Sequence, residues 1–89
     1  MENVTVKFVN VLSKNNQVIV LTNGLKMLNS YGVNVAEKTP DGKIRLDERY
    51  WDYSQTTSKG RCEFLGEKKP ETEKKIKSGE YVLTDLNNF

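Results

Sequence analysis

Tyr50, Trp51 and Tyr53 place three of the chain's eight aromatic residues within four positions, with Arg49 before them and Lys59 and Arg61 soon after. Aromatic rings beside cations can stack the bases of a single nucleic-acid strand, at about 1 to 3 kcal/mol per base. They can also anchor a protein interface, where Trp, Tyr and Arg are enriched, or simply form core beneath a helix. Ser54-Gln55-Thr56-Thr57-Ser58 fills the gap between rings and cations. Hydroxyls and free amides at a helix start, next to Lys59 and Arg61, can hold a phosphate or another anion, and ordinary helix capping accounts for the same hydroxyls. The candidate binding residues are therefore Arg49, Tyr50, Trp51, Tyr53, Thr56, Thr57, Ser58, Lys59 and Arg61.

Bond-making chemistry finds less to work with. The chain has no His, which removes the usual general base, the common nucleophile dyads and the commonest zinc ligand. Lone Cys62 cannot form an intrachain disulfide and reads as a small buried apolar residue, which favours a reducing compartment. Asp47, Glu48 and Asp52 lie in no apolar stretch that would drive two carboxyl pKa values apart, and no Asx-rich loop has calcium spacing. The expectation is a protein without catalytic residues, metal or cofactor.

The elements that must position the candidates follow from patterning. Val4, Val6 and Phe8 alternate with polar residues, and the phase then shifts through Val9, Val11 and Leu12, which predicts a strand with a bulge or one buried on both sides. A polar turn over 13–16 and the β-branched run 17–22 complete a hairpin, and Asn23-Gly24 is the next turn. Apolar odd positions from Leu25 to Val35 predict a third strand bent at Gly32. Thr39-Pro40-Asp41-Gly42-Lys43 is a strong turn, followed by a short fourth strand through Ile44 and Leu46. A helix through Lys59 to Leu65 stops at Gly66, although Gly60 disfavours its interior. A second helix opens at Pro70, ends before Gly79 and has only Ile76 and Thr72 to dock with, so it should be peripheral. Residues 80–86 resume strand character, and Asn87-Asn88-Phe89 reads as a loose end unless Phe89 docks.

The order β-β-β-β-α-α-β predicts an α+β fold: a small antiparallel sheet of about four to five strands with two short helices. Eighty-nine residues allow one domain, 1–89. The longest apolar run, Val18 to Leu21, falls far short of the roughly 20 residues of a membrane span, and Met1-Glu2-Asn3-Val4 lacks a targeting pattern. The cytoplasm is the expected location, with no membrane partner. Residues 1–30 hold three Lys against one Glu, while the rest is balanced, so no dedicated basic groove is legible.

Ser30-Tyr31-Gly32-Val33 with Val35-Ala36, then Tyr53-Ser54-Gln55-Thr56-Thr57-Ser58-Lys59 and Phe64-Leu65-Gly66, resembles small uncharacterised proteins of bacterial phages and mobile elements. Those proteins pair a "SY.TPVA"-like strand with a "YS.TTSKH"-like segment, over roughly residues 17 to 66 here. This chain has Gly60 where the family often has His, and Gly32-Val33 where Thr-Pro is common. The resemblance implies a phage-type protein in a host bacterial cytoplasm that binds rather than catalyses. It would modulate or inhibit a host macromolecule, such as a defence or nucleic-acid-handling enzyme, through the sheet face and the Tyr50–Arg61 segment. Direct DNA or RNA binding through the same residues is the alternative. A homo-oligomeric assembly protein that pairs an exposed edge strand with itself is a third reading.

Overall fold

The computed structural model describes residues 4–87; the end at Asn88 and Phe89 lies outside them. Four hairpin connections build most of the sheet. β1 (Val6–Val11), β2 (Asn16–Leu21), β3 (Lys26–Ser30), β4 (Val33–Lys38) and β5 (Ile44–Asp47) pair antiparallel in chain order. The chain then forms α1 (Gln55–Leu65) and α2 (Lys69–Ser78) and returns as β6 (Val82–Thr84), parallel to β5. The α+β class stands, but among the described residues the sheet has six strands and is mixed rather than wholly antiparallel.

The extra strand comes from splitting the predicted long third one. Tyr31 and Gly32 adopt φ of 52° and 80°, the paired positive values of a tight turn whose twist suits a β-hairpin. The bend expected at Gly32 is thus a reversal. A register shift between Leu28 and Asn29 leaves Val35 as the extra, bulged residue of β4, which explains why the apolar alternation ran on across two strands.

Register places Val18, Leu28, Ala36 and Leu46 in one row across β2 to β5. With Val20, Val35 and Tyr81 they make the buried core. Helix α1 lies over β2, β3 and β4. Its inward stripe is Thr57, Gly60, Arg61 and Phe64, at i, i+3, i+4 and i+7, so it docks by small and polar groups. Helix α2 is peripheral as expected. Pro70 sits in its first turn, Gly79 closes it at φ 85°, and Thr72 is its buried residue. Thr72 Oγ1 donates to Glu67 at 2.9 Å and Lys75 Nζ to the same carboxylate at 2.6 Å.

Asp47, 1% exposed, ties the sheet to the last segment. It accepts from the amides of Arg49, Tyr50 and Leu86 and from Asn87 Nδ2, at 2.9 to 3.0 Å. Burial alone would raise its pKa, but these donors outweigh burial and hold it below the ordinary carboxylate range. Glu67 is held low in the same way, with Lys75, Tyr81 and Thr72 outweighing burial. A carboxyl depressed in the fold contributes stability above its unfolded pKa and loses it as pH falls through the folded value. Stability should therefore be level from neutrality to about pH 5 and decline below it. In acid titrations followed by thermal melting, Asp47→Asn should flatten part of that decline and cost about 2 kcal/mol at neutral pH.

Strand β1 departs from the rest. Every residue of Val6–Val11 is exposed, and a register shift falls between Val6 and Phe8. Of the two readings of its phase shift, the bulge is present and two-sided burial is not.

Candidate functional site

The segment from Arg49 to Arg61 leaves the end of β5, crosses a turn and enters α1. Ser54 supplies the helix start. It is extended at φ −153° and ψ 169°, and its Oγ accepts from the Thr57 amide at 3.1 Å. The Thr57 hydroxyl, fully buried, also meets Ser54 Oγ at 3.1 Å and Ser30 Oγ on β3 at 2.9 Å. The Ser54 and Thr57 hydroxyls are thus engaged inside the fold, as a helix cap and a bond to the sheet.

One turn on, Gly60 explains itself. A Cβ built there would stand 2.5 Å from Asn16 Cγ. The Asn16 side chain, at the start of β2, fills that space and donates through Nδ2 to the Thr56 carbonyl at 2.8 Å and to Ser13 Oγ at 3.2 Å. The glycine that weakened the sequence prediction of this helix lets the helix close onto the sheet.

Arg61 is fully buried. Its Nη1 donates to the Trp51 carbonyl at 2.6 Å and to Asp52 Oδ1 at 3.3 Å, and its Nη2 to Ser58 Oγ at 3.0 Å. The guanidinium carbon lies 5.2 Å from the centre of the Trp51 ring, within cation–π range. Asp52 also takes Lys69 Nζ from the start of α2 at 2.5 Å. Burial would raise the Asp52 pKa, yet Lys69 and Arg61 together hold it low.

The arrangement sorts the nine candidates. Thr57 and Arg61 are buried and position the segment. Trp51 and Tyr50 are half-buried against the core, and Thr56 and Ser58 are half-buried on α1. Arg49, Tyr53 and Lys59 are exposed, and neither Arg49 nor Lys59 forms an ion pair among the described residues. Tyr53, 59% exposed, stands edge-on to Tyr50 with ring centres 5.5 Å apart. The fold thus displays one ring, Tyr53, braced by a second, Tyr50. Asn16, Ser30, Asp52 and Lys69 were not singled out as site residues; Gly60 inside a helix was the signal that could have led to Asn16.

Among the described residues no helix is long and apolar enough to cross a membrane. Over residues 3–81 the chain matches the family described as "Family of unknown function (DUF8033)". No curated protein and no solved structure matches it.

Proposed function

We propose that this chain, which belongs to the family of unknown function DUF8033, is a binding protein without catalytic chemistry of its own. It engages a host macromolecule, foremost a host protein, through the Arg49–Lys59 corner, and a phage-type modulator acting in a bacterial cytoplasm is the setting this reading adopts. The observation that carries it is the buried Arg61, whose bonds to the Trp51 carbonyl, Asp52 and Ser58 immobilise a loop that leaves Tyr53 in solvent. A loop fixed before binding loses little conformational entropy on complex formation, and Tyr, Trp and Arg are the residue types from which interface anchors are drawn.

Charge favours a protein over a nucleic-acid strand. Base stacking works together with locally unopposed cations, whereas residues 47–63 carry Asp47, Glu48, Asp52 and Glu63 against Arg49, Lys59 and Arg61, and Arg61 is buried against Asp52. Affinity capture from nuclease-treated bacterial lysate tests the reading. Tyr53→Ala should cost at most about 1 kcal/mol of stability yet abolish capture of the main prey. A prey held equally by the variant, or seen only without nuclease, would count against it.

A further inference from the structure

We infer that two copies of this chain associate through β1, antiparallel about a two-fold axis at Val9, joining their six-stranded sheets edge to edge. This is independent of the loop reading. Natural edge strands are protected by charge, proline, brevity, bulges or cover; β1 has a bulge between Val6 and Phe8, but from Phe8 to Val11 it carries no charge and no proline. Val4, Val6, Phe8, Val9 and Val11 are 45 to 68% exposed.

Backbone phase supplies the register. The Leu12 amide donates to the Asn16 carbonyl, and Phe8, Val9 and Asn10 pair with Val20, Ile19 and Val18. Alternation in an antiparallel ladder then turns the N–H and C=O of Asn10 and Phe8 toward β2 and those of Val9 and Val11 outward. A two-fold pairing that continues the sheet must set residues of the same face opposite each other. Centred on Val9, it pairs Val9 with itself and Phe8 with Asn10 on the regular part of the strand, and sets Val11 opposite the bulged Lys7. A centre at Phe8 would draw the outward ladder across the bulge, and one at Asn10 would use fewer residues.

The occupant follows from charge and area. A strand with one cation selects no charged peptide, while its own copy offers the same apolar set and keeps the two Lys7 side chains apart. On the helix-free face the row Met27, Ile19, Val9 would run unbroken into its symmetry mate. Within the register Phe8, Val9 and Val11 are the exposed apolar side chains, which with the paired backbone makes a small interface, below the about 1,000 Å² of a tight one, and places association at tens of micromolar. The contact is isologous and closes, because the opposite edge β6 has only three residues.

Sedimentation equilibrium of the full chain tests this, with Val9→Lys and Val9→Glu. The wild type should sediment at twice 10.2 kDa at concentrations of tens of micromolar. Each variant, folded by circular dichroism, should sediment as monomer because it meets its own charge at the axis, and an equimolar mixture should recover the doubled mass. A monomeric wild type overturns the inference, as does a dimer that survives Val9→Lys or a mixture that stays monomeric.

Discussion

Arg61→Ala should destabilise the protein by about 3 to 5 kcal/mol, the range for removing one partner of a buried ion pair and opening a cavity in its place. The variant leaves the Trp51 carbonyl and Ser58 Oγ without their donor, strips one cation from Asp52 and empties the space beneath the indole. A domain of this size has only about 5 to 15 kcal/mol in all, and each kcal/mol moves its midpoint by about 4 to 8 °C. The melting midpoint should therefore fall by more than about 12 °C. Arg61→Met keeps much of the volume, and the Arg61 Nε is itself buried without a partner among the described residues, so it should recover part of the loss. Arg61→Lys should not restore the wild-type midpoint, because an ammonium cannot reproduce the planar fork. Denaturant melts of the three variants check the order, and a near-neutral Arg61→Ala would refute the role given to this residue.

Gly60→Ala should act with opposite signs in two backgrounds. In the wild type the added methyl displaces the buried Asn16 amide from the Thr56 carbonyl and Ser13 Oγ, at a cost of about 2 kcal/mol after the helix-propensity gain. Once Asn16→Ala has removed the obstructing atoms, only that gain remains, and the same change should stabilise by up to about 1 kcal/mol. The coupling in a double-mutant cycle should reach about 2 to 3 kcal/mol, near the upper end for residues in contact. Equal costs in both backgrounds would mean that Gly60 serves some purpose other than admitting Asn16.

Local chemistry was legible where one residue decides the geometry. Pro70 and Gly79 bounded α2, Gly66 ended α1, and Asn23-Gly24 and Pro40-Asp41-Gly42 placed two turns. The Tyr31–Gly32 turn escaped because Tyr31 takes a left-handed φ that its residue type does not announce, and because a bulge kept the apolar alternation in phase. The parallel pairing of β6 depends on how two helices carry the chain back, which no period in residues 80–86 records.

The aromatic cluster of the candidate site was readable as a group, but its division into displayed and buried members was not. Arg61 reads as a surface cation on a polar helix. It is buried because the Trp51 carbonyl, ten positions earlier, turns toward it. Asn16 lies 40 positions from the carbonyl it holds. Contacts at such separation are products of the fold rather than of local pattern.

We propose that the loop held rigid by Arg61 is the surface that meets a partner. Titrating the captured partner into the 15N-labelled chain and mapping amide shifts measures this most directly. The largest perturbations should cluster at Arg49 to Lys59 and vanish in Tyr53→Ala, with the β2 to β4 amides unmoved. Perturbations centred elsewhere, with the Tyr53 amide silent, would contradict it.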